Sequence, residues 1–125
     1  MAVRELNNFE YPEPEQISIE HKSVTKVYTS GCSNYLDEVS KYDWDVDIAM
    51  SIMKAESGCN PNALNREDSH NICTGSAGLF QISCHSGLVF DPVENIRIAY
   101  YDKYSTQRGW GHWSVCTNGM VNCGL

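Results

Sequence analysis

Apolar positions along this chain gather into three groups, separated by polar stretches rich in turn residues. Residues 1–30 carry only a brief alternation at Ile17, Ile19, Val24 and Val27, after the break made by Tyr11-Pro12-Glu13-Pro14-Glu15. They read as an N-terminal arm or linker in front of a single domain over 31–125. Tyr35, Leu36 and Val39 predict a first short helix ending before Lys41-Tyr42-Asp43. A second helix starts where Asp45 can cap it and Asp47 meets the positive end of its dipole. Val46, Ile48, Ala49, Met50, Ile52 and Met53 make it apolar nearly all round until Gly58 and Pro61 stop it, so it belongs at the centre of the core.

Beyond that helix, residues 57–76 form a long irregular loop, and Leu79-Phe80-Gln81-Ile82-Ser83 is a short extended or turn segment with Phe80 directed into the core. Asp91-Pro92-Val93-Glu94 combines a capping residue, Pro at the first helical position and Glu at the third. The helix it opens is expected to run to about Gln107, with Val93, Ile96, Tyr100 and Tyr104 on its buried side. Gly109-Trp110-Gly111-His112-Trp113 is a Gly-spaced aromatic patch near the end. The pattern predicts a mainly α, α+β fold with a helical core and a small extended or β segment.

Charge narrows the partners. Nine Lys and Arg against sixteen Asp and Glu give a net charge of -7, which argues against nucleic acid or an anionic membrane as the main partner. No run approaches eighteen apolar residues, so no membrane span is expected. Six cysteines, at 32, 59, 73, 84, 116 and 123, are dense for 125 residues and even in number. Such usage points to an oxidised, exported domain with up to three bridges, which six cysteines can pair in fifteen ways. A bridge from Cys59 to Cys73 would clamp the 57–76 loop and stabilise by roughly 3 kcal/mol in the chain-entropy model. The first residues lack a basic end followed by an apolar stretch. The expectation is therefore a mature domain whose export segment has been removed, secreted, periplasmic or associated with a cell wall. No metal or cofactor is expected: there is no Cys-x-x-Cys pair, and His21, His70, His85 and His112 are scattered among Gly, Ser and polar residues as surface or loop positions.

The chemistry centres on Glu56. Ile48 and Ile52 recur at four-residue intervals that reach it, so one helix face runs from core residues into a carboxylic acid. Desolvation there disfavours the ionised form and leaves the group able to donate a proton near neutral pH. Ser57 beside it has no His and Asp arrangement for nucleophilic work and is expected to bond the backbone at the helix end.

Glu56-Ser57, Asn60-Pro61-Asn62-Ala63, Gly78-Leu79-Phe80-Gln81-Ile82 and Asp91-Pro92-Val93-Glu94-Asn95-Ile96, in that order, resemble the lysozyme-like superfamily. The likeness covers roughly residues 44–113 and is greatest to the soluble lytic transglycosylase branch related to goose-type lysozyme. It implies a helical core with a small extended segment lining a glycan cleft, stabilised by disulfides, and a monomer acting on peptidoglycan strands. It further implies Glu56 as the single catalytic acid and Gln81, Asn65 and Ser57 as substrate contacts. The family's late Tyr-Asn-Ala-Gly segment, whose tyrosine holds the acid, does not occur here; Tyr100, Trp110 and Trp113 are the aromatic candidates for the substrate site.

Glycoside cleavage needs a proton on the leaving oxygen and a second group to meet the oxocarbenium-like centre. Candidates for a second carboxylate are Glu67, Asp68 and Asp91; Asp91 is accounted for as a helix cap, and Glu67 and Asp68 read as a solvated loop pair. The resemblance implies that the substrate's own N-acetyl and 6-hydroxyl groups replace that carboxylate and yield a 1,6-anhydro sugar. Two alternatives stand beside this: a true lysozyme using Asp68 and water, and a catalytically silent secreted module that binds glycan on the same fold.

Overall fold

The computed structural model describes residues 30–65, 75–83 and 87–125. The arm expected over 1–30 lies, apart from Ser30, outside the described residues, as do Glu67, Asp68, Cys73 and Cys84. About half of what is described is helical, and the rest includes one small antiparallel sheet, a mixed fold in which helices predominate.

The first expected helix is two short ones, α1 at Ser30–Ser33 and α2 at Leu36–Val39. Next, α3 spans Val46–Ser57. Asp45 accepts from the Ile48 amide at 3.0 Å, the side-chain cap that its position predicts. Val46, Ala49, Met50, Ile52 and Met53 are buried, which makes α3 the central element of the core, while Lys54 and Ala55 leave its last turns partly in solvent.

Three two-residue strands follow: β1 at Leu64–Asn65, β2 at Ser76–Ala77 and β3 at Ile82–Ser83. They form one antiparallel sheet in that order, with Leu64 opposite Ala77 and Ser76 opposite Ser83. Strands this short cannot stand alone. The β2–β3 turn is pinned to the helical core instead, and it buries Leu79 and Phe80 completely.

A 3-10 turn at Gly87–Phe90 leads into α4, Pro92–Ile98, capped by Asp91, which accepts from the Val93 amide at 3.0 Å. The helix does not continue as α to Gln107. From Ala99 to Tyr104 it widens into a π-helical stretch, in which the Ser105 amide bonds the Tyr100 carbonyl five residues back at 2.9 Å. The helical period changes there, and Tyr100, Tyr101 and Tyr104 all pack against the core. Ile96 is fully buried as expected; Val93, expected inside, is 39% exposed because it sits in the solvent-facing first turn. A second 3-10 turn at Gly109–His112 and a short α5 at Ser114–Thr117 complete the chain.

Aromatic packing joins these pieces. Trp44 stacks on Trp110 with ring centroids 5.5 Å apart and meets Phe80, Tyr100 and Tyr104 within 6 Å. Among the described residues, two disulfides add covalent ties. Cys59 is bridged to Cys32, not to Cys73, so the bond fastens α1 to the end of α3 instead of clamping the 57–76 loop. Cys116 is bridged to Cys123 across the C-terminal turn.

Candidate active site

Glu56 occupies the last turn of α3 and is half-buried. That helix end is held in three ways within three residues of the carboxyl. Gly58 closes the helix by donating its amide to the Lys54 carbonyl at 2.9 Å. Ser57 Oγ donates to the Met53 carbonyl at 3.0 Å and accepts from the Cys59 amide at 3.1 Å, the backbone-bonding role its position predicts. The Cys32–Cys59 bridge then locks the next residue. A carboxyl so anchored has its backbone placed before any ligand arrives.

Gln81 is positioned by the turn between β2 and β3. Its backbone sits at φ 53°, a left-handed conformation that costs a side-chain-bearing residue about 1 kcal/mol or more and is held by surrounding bonds. Its amide donates to the carbonyls of Gly78 at 3.0 Å and Ala63 at 3.3 Å. Both side-chain hydrogens are thus used to join the turn to its own start and to Ala63, the residue just before β1, and Oε1 is left as the acceptor. The turn itself is locked from behind: Trp113 Nε1 donates to the Phe80 carbonyl at 3.1 Å, and the Phe80 amide donates to Asn95 Oδ1 at 2.8 Å.

Glu56 and Gln81 line one cleft of about 260 Å³ with Ser76, Ile82 and Ser83 from the sheet. Lys103, His112, Trp113 and Ser114 complete its lining. Such a volume lies at the small end of ligand sites and suits one ring of a larger chain better than a whole oligomer. Its chemistry is one carboxyl, one amide, three hydroxyls and two basic side chains around an indole, a set able to move one proton and to hydrogen-bond a polyhydroxylated ligand.

Lys103 is no candidate in the sequence, and His112, expected there only as a surface or loop position, lines the cleft with it. His112 sits in the Gly-spaced aromatic patch beside Trp113, and that adjacency was the signal. Thr106 Oγ1 donates its single hydrogen to the Lys103 carbonyl at 2.6 Å and lies 2.7 Å from His112 Nε2. Because that hydrogen is spent, Nε2 must be the donor to Thr106 and Nδ1 the unprotonated nitrogen of the neutral ring. Burial, then the nearby charges of Lys103 and Arg108, push the imidazole pKa below its ordinary value, which favours this neutral form.

The remaining expected contacts lie elsewhere. Asn65 is exposed on β1 and does not line the cleft. Tyr100 packs among Tyr42, Trp44, Tyr101 and Tyr104, and its hydroxyl pKa is raised, first by burial and then by Asp43. Trp110 is 8% exposed within the same aromatic cluster, while Trp113, 4% exposed, reaches the cleft from the core side. Asp68 lies outside the described residues. Among the described residues, no group of three His, Cys, Asp or Glu is arranged to hold a metal ion, and no helix is long and apolar enough to cross a membrane.

No protein-family model, no curated protein and no solved structure matches this chain.

Proposed function

We propose that this protein is a lysozyme-like lytic transglycosylase that cleaves the β-1,4 bond between N-acetylmuramic acid and N-acetylglucosamine in peptidoglycan. The observation that carries the reading is the meeting of Glu56 and Gln81, from two separated sequence motifs, in one cleft among hydroxyl and indole groups. The two disulfides are compatible with work outside the cytoplasm.

In the proposed reaction the Glu56 carboxyl gives its proton to the O4 oxygen of N-acetylglucosamine as the bond from C1 of N-acetylmuramic acid to that oxygen breaks. The substrate's N-acetyl group stabilises the positive centre at C1. The 6-hydroxyl oxygen of the same sugar then bonds to C1, and its proton passes to the Glu56 carboxylate. The acid is regenerated, no water is consumed, and the product carries a 1,6-anhydro ring.

Mass spectrometry of muropeptides from digested sacculi tests the proposal. The anhydro product is expected from the wild-type protein and none from Glu56→Gln, with a loss of at least about 10²-fold in rate, the lower range for a general acid. Products heavier by one water would assign a hydrolase instead, and full activity in Glu56→Gln would remove the catalytic assignment.

A further inference from the structure

His112 is braced at both its backbone and its ring. The Arg108 guanidinium donates to the Gly111 carbonyl at 2.9 Å, and the Gly111 amide donates to the Arg108 carbonyl at 2.8 Å, which fixes the peptide just before it. On the other side the Trp113 amide donates to the Trp110 carbonyl at 3.1 Å. The imidazole stands edge-on to the Trp113 indole, with centroids 6.4 Å apart. Its Nε2 lies 2.7 Å from Thr106 Oγ1, whose own hydrogen goes to the Lys103 carbonyl. A half-buried ring tied in this way lines the cleft in one held orientation.

Hydrogen accounting gives that ring a definite polarity. With Nε2 committed to donate to Thr106, Nδ1 carries a lone pair and no hydrogen. Gln81 reaches the same state by another route, since its two amide hydrogens go to the Gly78 and Ala63 carbonyls and Oε1 remains to accept. The β2–β3 turn and the 3-10 turn at Gly109–His112 thus each bring one acceptor-bearing side chain to the cleft. Such acceptors pair with the O–H and N–H groups of a sugar. A protonated imidazole, in contrast, presents N–H at both nitrogens and accepts nothing.

We propose that His112 is a binding residue of this cleft and accepts, through Nδ1, a hydrogen bond from a hydroxyl or amide N–H group of the bound glycan, so that the neutral ring binds and its protonation weakens binding. The inference rests on the glycan reading proposed above and adds to it a residue and a pH dependence that the Glu56 chemistry does not require. Burial first, then Lys103 on the π-helical stretch and Arg108 before the 3-10 turn, oppose protonation of the ring. Among the described residues, Glu56 at the end of α3 is the acidic group that lines the cleft with them.

Binding of the neutral disaccharide N,N′-diacetylchitobiose to the Glu56→Gln protein, followed by NMR over about pH 5 to 8, tests the proposal, because neither the sugar nor residue 56 ionises there. Affinity is expected to be at least about fivefold lower with His112 protonated than with it neutral, the contribution of one neutral hydrogen bond. The same coupling read from the other side should lower the His112 pKa by about 0.7 at saturating sugar. Ring nitrogen shifts should place the hydrogen of the neutral imidazole on Nε2. His112→Phe keeps a ring beside Trp113 without an acceptor and is expected to bind about fivefold more weakly at about pH 8, with no dependence on pH. His112→Asn sets Oδ1 near the place of Nδ1 and should stay within about twofold of the parent at that pH while also losing the pH dependence.

A hydrogen on Nδ1 of the neutral ring, an affinity that does not change as His112 titrates, or full affinity in His112→Phe overturns the inference. So does His112→Asn binding no better than His112→Phe, because the ring would then be filling space instead of accepting a bond. Cleavage of sacculi by the wild-type protein is scored separately. The expected binding pattern without cleavage removes the catalytic proposal alone, and cleavage without that pattern removes this inference alone.

Discussion

Asn95 holds the Phe80 amide through a 2.8 Å hydrogen bond to Oδ1, while its own Nδ2 donates to the carbonyls of Ala77 at 3.0 Å and Val89 at 2.9 Å. One fully buried amide thus satisfies three backbone groups on β2, the β2–β3 turn and the 3-10 segment before α4. It fixes the turn that carries Gln81 into the cleft.

Asn95→Ala removes all three bonds, leaves their backbone partners buried and opens a cavity. A loss of about 3–5 kcal/mol in urea unfolding is expected. Asn95→Asp, which sets a second oxygen against two carbonyls, should be destabilised comparably and more so once ionised. A loss below about 1 kcal/mol in Asn95→Ala would mean that the network contributes little.

Gly78 lies directly against that amide at φ 82°, and a Cβ added there would overlap Asn95 Nδ2 and the Val89 carbonyl. Gly78→Ala therefore combines left-handed strain of about 1–2 kcal/mol with displacement of the Asn95 network, for a total of at least about 3 kcal/mol. At Gly111 an added Cβ would come no closer than 3.9 Å to Arg108, so Gly111→Ala should change stability by less than about 1 kcal/mol. Thermal denaturation of the pair checks the contrast.

The two bridges among the described residues differ in the chain they close. Cys32 and Cys59 are 27 residues apart and Cys116 and Cys123 are 7 apart. The loop-entropy model then assigns about 3.5 kcal/mol to the first and about 2.4 kcal/mol to the second. Replacing each pair with Ala should reproduce that order in guanidinium melts. Only the Cys32→Ala/Cys59→Ala variant should also weaken glycan binding, since it frees the end of α3 that carries Glu56.

Tyr42 and His112 make stability depend on pH at opposite ends of the scale. Burial pushes the Tyr42 hydroxyl up to about 12, against the opposing pull of Arg97. The unfolded chain releases that proton near pH 10 and the folded protein does not, so stability falls as pH rises from 10 towards 12, by at most roughly 3 kcal/mol. Tyr42→Phe should flatten this decline in urea melts, and an unchanged slope would place its origin elsewhere. His112 has a lowered pKa in the folded state, so its contribution is present above pH 6.5 and is lost as pH falls below that value and the unfolded chain takes up the proton first. NMR titration of the His112 ring gives the folded value directly.

Much of the scaffold was legible because its signals are local. The Asp45 and Asp91 caps, the stop at Gly58 and the burial of Phe80 depend on residues within a turn or two, where side-chain type and backbone geometry are tightly coupled. Glu56 and Gln81 could be picked out as a pair, but nothing in their spacing places them in one cleft. The α-helix ends at Ile98 and not near Gln107, because an α-periodic pattern does not register the extra residue of a π turn. Val93 is exposed where the pattern places it inside, because an apolar side chain in a first turn can remain in solvent when no element covers it.

By itself, the sequence determined a disulfide-bearing, mainly helical domain built around one apolar helix that ends in a carboxylic acid, since periodicity, capping and cysteine content act over short distances. Only the tertiary structure decided that Cys59 joins Cys32, that Trp110 and Tyr100 belong to an aromatic core, and that Lys103 and His112 line the cleft with Glu56. Those outcomes depend on which surfaces bury one another across long chain separations. Pairing of that kind is set by three-dimensional packing, and a one-dimensional pattern does not carry it.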